Sequence, residues 1–435
     1  MSRMDANSGL DRGLMKSVDW RLVGCWLILA VFGLMNIYAA VRSQNPSGIF
    51  DLSCNSGKQA LWIGISFAFA LFILFVVNTR VWEVISVPLY GVVIVLLVAV
   101  IFMSTATKGS HSWFSLGPVK FQPAEVSKIT TSLVLAGYMG RPNFKLDLPR
   151  DFWTVALIIG LPMLIIVAED ETGSALVYVG FLFVLYREGL SGWYLFMLFM
   201  AILLFILALT TNWWIAGSVL LAACAGYFLK VLRETRGESR KRRRALRNSL
   251  LAFAAGMVLI FAAGFAFNHV LKDYQRGRIE VLLGMKEDIR GAGYNVHQSM
   301  IAIGSGGFGG KGYLNGTQTT YGFVPEQHTD FIFCTVGEEW GFLGCLFVIL
   351  VYGLMIAWII GDAEKARSSF ARIYGYCLAS CLFMHLFINI GMTIGLMPVI
   401  GIPLPLFSYG GSSMLAFTTM IFIFIALDRQ EKKYF

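Results

Sequence analysis

Apolar runs of about twenty residues recur from one end of the chain to the other, and no other feature limits the fold as strongly. Crossing the hydrocarbon of a bilayer takes roughly 20 predominantly apolar residues. Candidate spans lie at 21–41, 59–78, 82–103, 123–139, 152–168, 174–187, 193–210, 212–230, 249–268, 332–360, 369–396 and 408–427. Backbone amides find no water in hydrocarbon, so each run must satisfy them internally, as a helix does. The chain is 57% hydrophobic and only 14% charged, against about 25% charged in soluble domains. A water-soluble globule, a disordered chain and a disulfide-rich secreted scaffold are all excluded. The expected fold is an all-α polytopic membrane protein of about twelve transmembrane helices, forming a single membrane domain over 1–435.

The net charge of +9 would suggest nucleic acid on a soluble protein. On a membrane protein it reports which segments face the cytoplasm. With the N-terminus placed inside, the inner segments hold 24 Lys and Arg and the outer ones ten, with Lys128 inside a span. Both termini are therefore expected in the cytoplasm. The stretch 230–247 alone carries nine positive and two negative charges. It lacks the interleaved aromatics of a nucleic-acid surface, so it reads as a basic cytoplasmic loop that anchors topology and touches anionic lipid. No nucleic-acid partner is expected. The polar start MSRMDANSGLDRGLMKSVDW leads into a full-length span, so the first helix is read as retained rather than cleaved. The seven cysteines form no metal-ligand spacing.

One outer connection, 269–331, is far longer than the rest. Long loops in compact domains tend to be functional. This one holds His269, His297 and His328, and twelve of the 45 glycines. It opens basic and helical with Arg276 and Arg278 beside Tyr274, and a second helix is expected at 295–303. The run GSGGFGGKGYLNGTQ follows. Gly304, Gly306 and Gly309 fit GxGxxG, but no strand–turn–helix surrounds them, and Lys311 lacks the flanking residues of a P-loop. The glycines serve either close backbone approach to a phosphate or plain turns. The loop ends in VPEQHTDFIF, with Glu326, His328 and Asp330 entering the next span, where Glu338 and Glu339 follow.

Other polar groups lie at membrane depth, where they are costly and point to function. Glu125 and Lys128 stand three apart on one helix face, as an internal ion pair or as the lining of a polar cavity. Glu169, Asp170 and Glu171 sit together at the outer end of a short hairpin, and adjacent acids repel unless a cation compensates. The tract NIGMTIGLMPVIGIPLPLFSYGGSS is broken by Pro398, Pro403 and Pro405 before Ser408 and Gly410. Irregular backbone at that depth is tolerated only when buried in protein or lining a cavity. The residues alone thus describe an outward-facing polar cavity suited to a lipid-linked phosphate substrate, in an enzyme or a transporter.

GAGYNVHQSMIAIGSGGFGGKGYLNGTQ, VPEQHTDFIF with GEEWGFLG, and NIGMTIGLMPVIGIPLPLFSYGGSS resemble the SEDS family (shape, elongation, division and sporulation). WFSLGP and QPAEVSK extend the resemblance from the third span to the C-terminus, and KGYLNGTQ resembles the RodA-like elongation branch. The resemblance implies a peptidoglycan glycosyltransferase that polymerises lipid II outside the cytoplasmic (inner) membrane. Its implied partners are a class B penicillin-binding protein and other membrane proteins of the elongation complex. The family's essential acid maps onto Asp288 in KEDIRGAGY, as the base for the acceptor hydroxyl. Departures are Ala124 for a common Ser, Glu171 for a common Asp, and Ile289 where Pro usually follows the acid. Family members usually have ten spans, so 193–230 is read as an inserted helical pair.

On that reading the substrate-binding residues are Glu125, Lys128, Trp113, Arg276, Arg278, Tyr294, Gln298, Lys311, Glu326, His328, Asp330, Ser408 and Gly410. A divalent cation, Mg²⁺ or Mn²⁺, is expected on Glu125 and Glu171 to offset charge on the departing pyrophosphate. The alternatives are a lipid II flippase, a division-type polymerase, and a scaffold for the cross-linking enzyme.

Overall fold

The structure is a computed structural model and describes residues 18–42, 48–104, 112–116, 119–234, 239–285 and 292–433. Two compact units emerge, one of residues up to 189 and from 294 onward, the other of 190–293.

In the first unit, α1 (Trp20–Val41), α2 (Asn55–Phe75) and α3 (Thr79–Met103) lead to a short antiparallel hairpin. Its strands are β1 (Phe114–Leu116) and β2 (Val119–Phe121), with Phe114 opposite Phe121. There follow α4 (Pro123–Met139), α5 (Pro149–Ala168), α6 (Thr172–Val177) and α7 (Phe181–Arg187), the last two joined through a tighter turn at Tyr178–Gly180. From 292 onward come α12 (Ala292–Gly306), α13 (Thr317–Tyr321), α14 (Ile332–Lys365), α15 (Ser369–Thr393) and α16 (Gly411–Lys433). The second unit supplies α8 (Gly192–Thr210), α9 (Trp213–Glu234), α10 (Ser239–Phe265) and α11 (Asp273–Leu282).

Short polar side chains set the starts. Asp19 and Asn78 accept from the backbone N–H of Arg21 and Arg80, and Ser368 from that of Ala371, replacing amide partners that a first turn lacks. Pro123 and Pro149 open α4 and α5, where a missing N–H costs nothing.

Among the described residues, ten helices are long and apolar enough to cross a membrane. Of the twelve expected spans, 123–139 is realised as the 17-residue α4, and 174–187 falls in the shorter apolar stretch Thr172–Arg187. The stretch 230–247, read as a loop, is mostly helix: α9 runs on to Glu234 and α10 begins at Ser239. Lys and Arg are good helix formers and can extend past the hydrocarbon into water.

α15 and α16 form the centre of the first unit, 78% and 83% buried over their apolar windows, against 22% for α2 and α3. α14 and α4 pack on α15, α2 packs on α16, α3 on α4 and α1 on α14. The outer helices leave long apolar side chains exposed, among them Val84, Val95 and Phe102, which is the surface a lipid solvent requires. In the second unit α10 packs against both α8 and α9, through a small cluster of Leu204, Ala216 and Ile260.

Candidate functional site

Polar residues deep inside the first unit collect around α4 and α15. The Lys128 ammonium is fully buried and donates to Glu125 Oε1 at 2.8 Å. It also lies 2.9 Å from His385 Nε2 on α15 and above the Phe417 ring. The other imidazole nitrogen, Nδ1, is 3.1 Å from the Pro403 carbonyl. A carbonyl can only accept, so Nδ1 carries the proton and Nε2 accepts from Lys128. Of the two readings of Glu125 and Lys128, the structure therefore shows the internal ion pair. Glu125 Oε2 is buried with no hydrogen-bond partner.

One turn beyond His385, the Asn389 amide donates to Ile402 O at 2.7 Å and Asp330 O at 2.8 Å. Those bonds hold the proline-broken segment between α15 and α16 against the end of the long loop. The same junction is tied elsewhere. Tyr409 N donates to His328 O at 2.9 Å, and Leu404 N donates to Ser408 Oγ at 2.8 Å. Gln59 donates to Ser408 O while accepting from Gly410 N, and Tyr352 OH donates to Pro405 O. Irregular backbone at membrane depth is thus buried in protein, as its polar groups demand. Of the expected substrate residues, His328, Asp330, Ser408 and Gly410 are brought together here.

Glu171 accepts from Ser112 Oγ at 2.9 Å and from Gln122 Nε2 at 3.0 Å. Gln122 is the residue before α4 and stands one turn ahead of Glu125, so the two expected cation ligands flank one helix start. Trp113 is half-buried beside the hairpin. Glu169 is fully buried, and neither carboxylate oxygen has a hydrogen-bond partner. Burial, with Glu171 nearby, pushes its pKa up to about 8. Among the described residues, the one group of three carboxylates close enough to share an ion is Asp19, Asp362 and Asp428. There Arg21 already pairs with Asp19 at 2.6 Å and Asp362 at 3.0 Å.

The glycine run is folded against α14. Lys311 N donates to Glu338 O and Gly312 N to Glu339 O, while Phe342 N and Leu343 N donate to Gly307 O and Phe308 O. This pairing is possible because α14 is interrupted at Gly341, at φ 63° and ψ −160°, a conformation that strains any residue with a Cβ. Gly306 lies so close to the Gly337 carbonyl that a Cβ there would overlap it. The glycines therefore provide turns and close approach to the protein's own backbone. The Glu338 carboxylate, fully buried, gathers the loop. It accepts from Lys311 Nζ at 2.7 Å, from the N–H groups of Gln318 and Thr319 at 2.8 Å each, and from the Thr319 hydroxyl at 2.7 Å. Lys311 is thus held by Glu338 rather than left open.

The remaining expected residues are dispersed. Tyr294 and Gln298 are half-buried on α12, which is tied to the end of α15 by Ser299 Oγ donating to Thr393 O. Glu326 accepts from the Thr329 hydroxyl at its own turn. Arg276 and Arg278 belong to the second unit. The Arg276 guanidinium donates to Phe267 O at 3.1 Å and Asn268 O at 2.5 Å, closing the end of the helix before it. Arg278 lies over the Tyr274 ring. Asp288, with Glu287 and Ile289, lies outside the described residues.

The sequence matches the FtsW/RodA/SpoVE cell cycle protein family over residues 19–233 and 245–433. The chain belongs to this family. It is 34% identical over 409 residues to the peptidoglycan glycosyltransferase MrdB of Escherichia coli K12, covering 93% of each chain. It is 31% identical over 422 residues to the peptidoglycan glycosyltransferase RodA of Treponema pallidum, covering 93% of this chain and 95% of that one. Among solved structures, a chain of a peptidoglycan synthase complex that coordinates polymerization and crosslinking superposes with a TM-score of 0.68 at 25% identity, covering 95% of this chain and 98% of that one. The rod shape determining protein RodA of Thermus thermophilus superposes at 0.59 and 23% identity, covering 95% and 97%, and shares the fold. Within the family the chain is RodA-like.

Sequence reading missed His385 and Asn389. Both sit in an apolar run at helical spacing, where a lone polar residue gives no sign of the partner it meets.

Proposed function

We infer that this membrane protein is an elongation-type peptidoglycan glycosyltransferase, polymerising lipid II into β-1,4-linked glycan with release of undecaprenyl pyrophosphate. The observation that carries the reading is similarity along nearly the whole length of two peptidoglycan glycosyltransferases. The interior fits it: a bilayer-soluble fold with a buried polar network meeting the long loop suits a substrate that has a lipid tail and a charged, sugar-bearing head.

The acceptor 4-hydroxyl has a pKa far above 7, so a placed carboxylate assists as the bond forms. Asp288 is proposed for that base. An α-linked pyrophosphate donor giving a β-linked product implies one inverting displacement. The departing pyrophosphate gathers negative charge, which fixed cations stabilise. A divalent cation, Mg²⁺ or Mn²⁺, is proposed on Glu125 and Glu171, where it would supply that positive charge. Supporting it is the unpartnered Glu125 Oε2, an open oxygen one turn from the residue that binds Glu171. Arg276, Arg278 and Lys311 are the proposed basic side chains of the loop. Their contacts to carbonyls, a ring and Glu338 must open for direct substrate contact. The excess of Lys and Arg on the opposite segments supports an extracytoplasmic active site. A class B penicillin-binding protein is the proposed partner, supported by the likeness to a complex that couples polymerization with crosslinking.

The test is purified protein with that partner and labelled lipid II, with the cross-linking step blocked. A ladder of muramidase-sensitive strands is expected, and it should vanish with EDTA and return with Mg²⁺ or Mn²⁺. Absence of strands from the wild type under all metal conditions overturns the polymerase reading. Transbilayer movement of lipid II without strands would favour a flippase.

A further inference from the structure

We propose that His385 is a positioning residue of the polymerase: acting through Lys128, it fixes the Glu125–Lys128 pair to the proline-broken segment that meets the long loop. The proposal rests on the polymerase reading. Its basis is a chain of buried contacts on three helices and one irregular segment. Glu125 and Lys128 come from α4, His385 from α15, the Phe417 ring from α16, and the Pro403 carbonyl from the segment between α15 and α16.

Each link has one workable assignment. Lys128 Nζ donates to Glu125 Oε1 at 2.8 Å and meets His385 Nε2 at 2.9 Å. An ammonium has no lone pair, so the imidazole must present one there. Nδ1 lies 3.1 Å from the Pro403 carbonyl, which has no proton to give. The imidazole is therefore neutral, with its proton on Nδ1, and its orientation is set by backbone rather than by another side chain. Its ring stands edge-on to Phe417 at 4.8 Å, which blocks rotation. Lys128 is fully buried and Glu125 nearly so, so water does not replace a lost partner.

The consequence is directional. Asn389, one turn along α15, binds both Ile402 O and Asp330 O. His385 and Asn389 thus hold consecutive carbonyls, Ile402 and Pro403, of the segment that leads to Ser408 and Gly410. A shift of α15 moves the ammonium and the mouth of the long loop together. Without His385, Lys128 keeps Glu125 but loses its tie to that segment.

The experiment compares His385→Gln and His385→Leu in the full-length protein with its partner, measuring strand synthesis against lipid II concentration. Gln supplies one acceptor for Lys128 and one donor for Pro403, so it is the conservative rescue. His385→Gln is expected to retain kcat within about threefold of wild type. His385→Leu, with native gel-filtration behaviour, is expected to lose tenfold or more in kcat with KM changed less than twofold. If His385→Leu does not fold, the Gln variant decides: folded but inactive Gln overturns the proposal, and active Gln upholds it. Equal activity of folded Leu and Gln variants also overturns it. A wild type that makes no strands overturns the polymerase reading instead, so the two failures are distinct.

Discussion

Replacing Glu338 with Ala should loosen the 311–319 part of the long loop without unfolding the bundle, while the backbone bonds that tie Gly307 and Phe308 to α14 remain. In the native fold this carboxylate accepts from Lys311 Nζ, from the hydroxyls of Thr317 and Thr319, and from the N–H groups of Gln318 and Thr319. Leaving a buried donor unsatisfied costs about 1–3 kcal/mol, and removing one partner of a buried ion pair costs about 3–5 kcal/mol. The Lys311 side chain is 28% exposed, so it recovers water and the ion-pair share is discounted. Thr319 is buried and recovers none. A local loss of about 3 kcal/mol is the reasonable figure, which at about 1.4 kcal/mol per tenfold is a factor of about 100. Hydrogen–deuterium exchange of the protein in nanodiscs measures it directly. Amides of 311–319 should exchange about 100-fold faster, while those of α15 and α16 stay unchanged. Glu338→Gln keeps the shape but turns an NH₂ toward donors, and should fall between the two. Protection within threefold of wild type in Glu338→Ala would refute the view that one carboxylate organises this loop.

Glu169→Gln tests the buried acid at the end of α5. Its pKa is raised from 4.5 to about 8 by burial, then by Glu171, so the folded state holds a proton that the unfolded state releases above pH 4.5. That stabilisation is complete below pH 4.5 and is lost as pH rises to about 8, at about 1.4 kcal/mol per unit. The variant's thermal-stability advantage should therefore grow from pH 5 to pH 8, and a pH-independent difference would contradict the assignment. Gly306→Ala drives a methyl into the Gly337 carbonyl and should cost about 1–3 kcal/mol, read as a lower midpoint of thermal unfolding. Arg276→Ala removes donors to Phe267 O and Asn268 O. Faster amide exchange over 266–271 together with weaker strand synthesis is expected; faster exchange with wild-type synthesis would confine Arg276 to holding its own backbone and contradict the proposed substrate role.

The fold was legible because lipid imposes a simple pattern. Uninterrupted apolar runs became helices at nearly the expected places, as Trp20–Val41 and Gly192–Thr210 show. The kink at Gly341 was not legible, since one glycine in an apolar helix looks the same whether or not the backbone reverses there. Glu125 and Lys128 were found by spacing alone, because partners three apart on a helix must meet. Their third partner, 257 positions beyond Lys128, could be found only by folding the chain. Lys311 is expected from sequence to bind substrate, and its pairing was hidden for the same reason: its acid, Glu338, stands 27 positions away. Three adjacent acids at 169–171 look alike in sequence, and only the fold separates their roles, with Glu171 hydrogen-bonded to Ser112 and Gln122 and Glu169 buried without a partner.

Glycosidic-bond formation with the Asp288 carboxylate as the base is the reaction proposed for this protein. Strand synthesis from labelled lipid II by the purified complex, comparing wild type with Asp288→Asn and Asp288→Glu, tests it most directly. Strands are expected from the wild type, none above background from Asn, which keeps shape but accepts no proton, and reduced but measurable synthesis from Glu. Wild-type rates in Asp288→Asn would contradict the base, and no strands from the wild type would contradict the enzyme.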